Sequence, residues 1–179
     1  SAEAQRAELL DLLDVCAEAG LNAVVFQVRP ESDALYRSDL EPWSRVLTGE
    51  QGRDPGWDPL QTLIDEGHAR GLEVHAWLNP YRGQASAGRP VAPDHPVRRF
   101  PDHAHRYGSL VWMDPGAPPV QDHLVAVIED LVTRYDVDGV HFDDYFYPYP
   151  TDAPFPDDAT YAAHGGGLSR GDWRRDNVN

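Results

Sequence analysis

Cysteine is almost absent. Cys16 stands alone, so the chain can form neither an internal disulfide nor a thiolate metal site. Basic residues are scarce too. Fifteen Lys and Arg face thirty Asp and Glu, for a formal charge of −15. Such a field repels phosphate and argues against nucleic acid and anionic membrane surfaces as partners. A neutral or cationic ligand suits it better, although the same charge also serves plain solubility. No apolar run reaches the roughly 20 residues that a membrane-spanning helix needs. No signal-peptide pattern is visible, and since a trimmed chain would show none, the compartment stays open. What remains is 179 residues with 41% hydrophobic content and five Trp, which is the composition of one packed domain rather than a disordered chain.

Residues 2–19 place Leu9, Leu12, Leu13 and Cys16 at helical spacing, with Gly20 as the stop. "LNAVVFQVRP" then reads as a strand closed by Pro30. "WDPLQ" announces a second helix: Asp58 is a good N-cap, Pro59 fits the first turn, and Gln61 falls at the capping-box position. Gly71 ends it, and "LEVHAWLNP" repeats the strand-then-proline phrase. A third helix is expected over about 119–135, leading into "DGVHFDDYFYP". Helices alternating with apolar strands predict an α/β fold with a parallel sheet. Two long polar loops are expected, at about 82–108 and 148–171. Both follow the C-terminal ends of strands, where such folds place their sites.

Side chains alternate across a strand. One face of the three strands is apolar: Val24, Phe26 and Val28, then Val74, Ala76 and Leu78, then Val140 and Phe142. The other carries Gln27, Arg29, His75, Trp77, Asn79, His141 and Asp143. A doubly wound sheet is covered by helices on both faces and reads apolar throughout. A polar inner face instead predicts a TIM-like (β/α) barrel with its site at the C-terminal rim. Asp143 then projects into the barrel mouth above His141, while Asp144 falls on the opposite parity. The bland alternative is that Asp143 is a buried carboxylate held by Arg29 or by backbone amides.

"AGLNAVVFQVRPESDALY", "EPWSRVLTG", "DPGWDPL", "GLEVHAWLNPYR", "YDVDGVHFDDYFYPYP" and "DWRRDNVN" together resemble the bacterial glycosyl-hydrolase-like family ten. That family includes a cell-division glycosidase acting on peptidoglycan strands stripped of their peptides. The resemblance implies a TIM-like barrel of which residues 1–179 cover about three βα units, the second to the fourth. It also implies glycoside hydrolysis and export to the cell envelope or beyond. "DGVHFD" is more distantly similar to the fourth-strand motif of the α-amylase superfamily, whose last Asp is the nucleophile. In the chitinase-type "DG…D…E" strand the terminal acid would fall on Tyr145, which argues against that mechanism.

Glycoside hydrolysis generally uses two carboxyl groups, about 5–5.5 Å apart for retention and roughly 6.5–9.5 Å for inversion. Asp143 is the candidate nucleophile or general base, with Asp144 as its possible partner. The general acid is otherwise expected beyond residue 179, with Glu31 and Asp33 as weaker local candidates. Arg29 is expected either to keep Asp143 ionised or to hold a sugar carboxylate. His75, Asn79 and His141 offer hydrogen bonds to sugar hydroxyls, and Trp77, Tyr81, Tyr145 and Tyr147 offer stacking faces. Trp173, Arg174 and Arg175 read as the start of a helix or an outer subsite. No cofactor is called for. Two rival readings stand: a non-catalytic glycan-binding barrel, and a metal-dependent hydrolase using His75, His141 and Asp143. No H-x-H or H-E-x-x-H spacing involves those three residues.

Overall fold

The Ser1 hydroxyl accepts from the Ala4 amide at 3.3 Å and starts helix α1, Ala2–Glu18. The fold is taken from a computed structural model that describes residues 1–143 and 145–179. Gly20, at a φ of +74°, turns the chain into strand β1, Ala23–Arg29. A side chain there would be strained in the left-handed region, so glycine is the natural stop. A short helix, α2, spans Arg45–Thr48. The sequence phrase then recurs as helix α3, Pro59–Ala69, Gly71 at a φ of +73°, and strand β2, Glu73–Leu78. Asp58 caps α3 as expected, its Oδ1 accepting from the Gln61 amide at 3.1 Å. The reciprocal half of the capping box does not form, because the Gln61 side chain turns forward to Asp65 at 2.9 Å.

Strands β1, β2 and β6, the last Gly139–Phe142, form a parallel sheet in that order. Gln27, Trp77 and His141 lie in one cross-strand row. One core lies on the opposite face. Val28, Val74, Ala76 and Leu78 are buried there against Leu13 of α1, Leu60, Leu63 and Ile64 of α3, and Val127 and Leu131 of helix α5, Pro118–Arg134. Each fully buried aliphatic side chain contributes roughly 1.5–3 kcal/mol, so this one-sided layer fixes which strand face stays free.

Four expectations need correction. Leu12 is 57% exposed rather than part of the core, because α1 turns Leu13 inward, with Leu9 and Cys16 only partly buried beside it. Val140 and Phe142, placed by parity on the apolar face, are not buried like their neighbours on β2 but 36% and 37% exposed. They lie on β6, an edge strand paired only with β2 among the described residues. The stretch 82–108, expected as a loop, holds strand β3, Arg82–Gln84, helix α4, Pro96–Arg99, a 3-10 turn, and strand β4, Ala104–Tyr107. With β5, Leu110–Met113, these strands form a small antiparallel sheet ordered β3-β5-β4. It carries a second core in which Trp112, Met113, Tyr107 and Phe155 meet Val120 and Leu124 of α5. The second expected loop, 148–171, likewise holds helix α6, Asp158–His164, and the start of helix α7, Arg170–Asp176.

Candidate active site

Asp143 stands just past the end of β6, and two residues of the neighbouring strand's end reach it. The Trp77 indole donates to Asp143 Oδ2 at 3.1 Å. The Asn79 amide donates to the same oxygen at 3.1 Å and to Oδ1 at 3.4 Å. The Tyr145 backbone N–H donates to Oδ1 at 3.1 Å. Every one of these contacts is a nitrogen donor meeting a carboxylate acceptor, so the group is oriented from two sides. Asn79 is itself fixed, since its Oδ1 accepts from the Arg82 amide at 2.8 Å. Along the same face, Trp77 lies edge-on to the exposed His141 at 6.2 Å. His75 lies over Gly139, where an added Cβ would come within 2.6 Å of the imidazole.

Arg29 does not meet Asp143. A register slip between Gln27 and Arg29 ends β1, and such irregularities re-aim a side chain. The guanidinium is 2% exposed and forks onto Glu41, with Nε to Oε2 at 2.7 Å and Nη2 to Oε1 at 2.5 Å. Its Nη1 donates to the carbonyls of Asn79 and Pro80 at 2.7 and 2.9 Å. All its nitrogens are engaged by protein, so the expected roles as direct partner of Asp143 or holder of a sugar carboxylate are replaced by a structural one. Arg29 clamps the end of β2 beneath the residue that orients Asp143. Burial alone would raise the Glu41 pKa, but the Arg29 charge, with hydrogen bonds from His123 and Arg29, lowers it to about 2. Burial likewise opposes the Arg29 charge, and Glu41 more than offsets it, holding Arg29 above its ordinary value.

Two of the expected stacking faces are not open. Tyr81 is buried in the second core, where burial raises its pKa. Tyr147 is half-buried; its hydroxyl accepts from Asn177 at 3.1 Å and Arg174 lies 5.3 Å above its ring. Tyr145 packs on the buried Trp112 at 5.5 Å. Glu31 accepts the Ala85 amide at 3.0 Å. Asp33 is buried, its pKa raised chiefly by that burial, and it accepts from Gln51 at 2.8 Å. Both carboxyl groups are thus committed to holding the loops past β1 and β2. Trp173 is buried, and Arg174 forks onto Asp157 at 2.6 and 2.7 Å. Asp144 lies outside the described residues. Among the described residues, no group of three or more His, Cys, Asp or Glu is arranged to hold a metal ion. None of the described helices is long and apolar enough to cross a membrane.

Glu41, which anchors Arg29, was not marked by sequence reasoning. The available signal was an arginine at the end of an apolar strand, which demands a buried counter-charge without saying where it comes from.

The family described as glycosyl hydrolase-like 10 matches residues 1–179. Glycosyl hydrolase YngK of Bacillus subtilis is 46% identical over 184 residues, covering 100% of this chain and 36% of that protein. Glycosyl hydrolase DigH of Escherichia coli K12 is 40% identical over 188 residues, covering 99% and 43% respectively. The chain therefore spans less than half the length of these two relatives. Among solved structures, alpha-L-fucosidase isoenzyme 2 from Paenibacillus thiaminolyticus matches with a TM-score of 0.60 at 14% identity, over 97% of this chain and 25% of that one. That last likeness is one of fold. The match over residues 1–179 and the two relatives at 46% and 40% identity establish that the chain belongs to the glycosyl hydrolase-like 10 family.

Proposed function

We propose that the protein is a glycoside hydrolase whose reactive carboxylate is Asp143. Its substrate in this reading is a bacterial polysaccharide, peptidoglycan glycan strands freed of their peptides. The observation that carries the reading is the donor cradle at the strand end: Trp77, Asn79 and the Tyr145 amide hold one carboxylate at the polar face of the sheet. Family membership supports cleavage of glycosidic bonds, and the resemblance of the sequence blocks to a peptidoglycan glycosidase family supports the substrate.

The cradle also suggests which oxygen reacts. Each carboxylate oxygen has two lone pairs. Oδ2 receives both Trp77 and Asn79 at 3.1 Å, whereas Oδ1 receives one contact at 3.1 Å and a long one at 3.4 Å. Oδ1 therefore keeps capacity for the anomeric carbon in a retaining reaction, or for a water proton in an inverting one. A second carboxyl group across the bond protonates the leaving oxygen.

Residues 1–179 also read as three βα units of a (β/α) barrel. In support, β1, β2 and β6 neighbour one another in chain order and run parallel. Helices α1, α3 and α5 share one core on one face, and the candidate site occupies the other. In this reading β1 and β6 pair with further staves, because a closed barrel leaves no edges.

The test is incubation of the full-length protein with peptide-free glycan strands and with intact peptidoglycan, the products being read by mass spectrometry. Fragments released from the stripped strands are expected. Absence of cleavage of any glycan strand overturns the proposal.

A further inference from the structure

A singly exposed aromatic residue is ordinary, so exposure alone says nothing about Tyr149. Its setting does. Tyr149 lies in the run Tyr147-Pro148-Tyr149-Pro150, shortly after β6. Each proline fixes its own φ at about −65° and holds the residue before it in extended backbone. The run is also tied at both ends. Before it, the Tyr145 amide is bonded to Asp143 and the Tyr145 ring rests on Trp112. After it, the Thr151 amide donates to the Tyr107 hydroxyl at 2.9 Å, and that hydroxyl donates to the Ala153 carbonyl at 2.9 Å.

Between these anchors the two tyrosines take opposite directions. Tyr147 turns inward, edge-on to Phe155 at 5.5 Å. Tyr149 turns outward and is 65% exposed. Its ring meets that of Tyr145 at 4.7 Å and 85°. The pair forms a right-angled aromatic corner, with Tyr145 only two residues from Asp143 in the chain.

We infer that Tyr149, backed by Tyr145, is a subsite for a sugar ring of the glycan next to the residues joined by the scissile bond. The inference rests on the glycosidase reading of Asp143 and adds to it a determinant of chain length. A pyranose presents a flat C–H face that packs on an aromatic ring, and tyrosine offers that area with few torsions to freeze. The pinned backbone lowers the ordering cost further. The corner is one ring wide, too narrow for an amphipathic helix, whose anchors repeat along several turns. The chain's charge of −15 disfavours a nucleobase, which arrives with phosphate.

The test is calorimetric titration of the full-length Asp143→Asn protein with a peptide-free peptidoglycan disaccharide and hexasaccharide. On that background Tyr149→Ala is expected to weaken hexasaccharide binding roughly tenfold, the effect of losing one stacking face. Disaccharide affinity stays the same, and Tyr149→Phe and Tyr149→Trp restore most of the hexasaccharide affinity because the ring face, not the hydroxyl, is what binds. Hexasaccharide affinity that is unchanged in Tyr149→Ala overturns the inference even if the wild-type protein cleaves glycan strands. Absence of binding by either oligosaccharide overturns it as well. If the wild-type protein cleaves nothing while Tyr149→Ala still loses the hexasaccharide, the subsite stands and the catalytic reading of Asp143 falls.

Discussion

Glutamine at position 41 removes one charge from a buried pair and leaves the other in place. The side chains of Arg29 and Glu41 are 2% and 0% exposed. With the carboxylate gone, the guanidinium remains buried beside a neutral amide, and breaking such a pair from one side costs about 3–5 kcal/mol. The lowered pKa of Glu41 points to a cost of the same order. The buried Arg29 charge and the hydrogen bonds from His123 and Arg29 hold Glu41 down to about 2, against an ordinary 4.5. A depressed folded-state value contributes stability that is fully present above the unfolded value and is lost as pH falls through the folded one. The window is therefore from 4.5 down to about 2, and a shift of that size corresponds to about 3 kcal/mol. Urea unfolding of full-length Glu41→Gln at neutral pH should show a loss of that order. Below pH 4.5 the variant should lose stability less steeply than the parent. Removing both charges, as in Arg29→Met with Glu41→Leu, should recover most of the loss, since a packed apolar pair is often neutral or better. A loss below about 1 kcal/mol for Glu41→Gln, or a double variant as unstable as the single one, refutes the reasoning.

Asn79→Ala removes an amide donor from Asp143 without touching the carboxylate. A hydrogen bond to a charged group contributes about 1.5–3 kcal/mol, so turnover of glycan strands should fall roughly 10- to 100-fold; steady-state kinetics decide this. Asp58→Ala deletes the cap of α3 together with the acceptor that the Tyr135 hydroxyl reaches at 2.6 Å. Thermal and urea unfolding should show a loss of about 2 kcal/mol. At Gly116 an added Cβ would come 2.3 Å from the Trp173 ring and 2.8 Å from the Asn177 amide. Gly116→Ala should therefore displace α7, which a faster amide exchange in Arg170–Asp176 would report.

Much of the layout was legible because burial follows parity. Val74, Ala76 and Leu78 were expected on one face of β2 and His75 and Trp77 on the other, and the first three are buried while the latter two are half-exposed. The glycine-strand-proline phrase was legible too, since Gly20 and Gly71 both take left-handed φ. The small antiparallel sheet was less visible. Its signal was Gly108 and Ser109 between "AHRY" and "LVWM", a two-residue hairpin turn with Gly108 at a φ of +61°. The Pro- and His-rich composition around it reads as loop and masked that signal. At the candidate site, parity placed Trp77, Asn79 and Asp143 on one face, and the structure brings those three side chains into contact. Parity failed at Arg29 because one irregularity shifts the register at the end of β1, and no local pattern announces such a slip. It says nothing about residues beyond the strands either. Tyr81 and Tyr147 were expected open but are packed, whereas Tyr149, in the same Tyr-Pro repeat as Tyr147, is exposed. Alternation within that repeat was the missed clue.

The central claim is that Asp143 reacts. Turnover of peptide-free glycan strands by the full-length protein and by its Asp143→Asn variant tests it most directly. Asparagine keeps the size of the side chain and an acceptor oxygen but removes the charge. The account predicts a fall of roughly 10⁴-fold, with a cooperative unfolding transition and oligosaccharide binding both retained. An Asp143→Asn protein that turns over within roughly tenfold of wild type contradicts it, and the Trp77–Asn79–Asp143 cradle is then only the means by which two strand ends are held together.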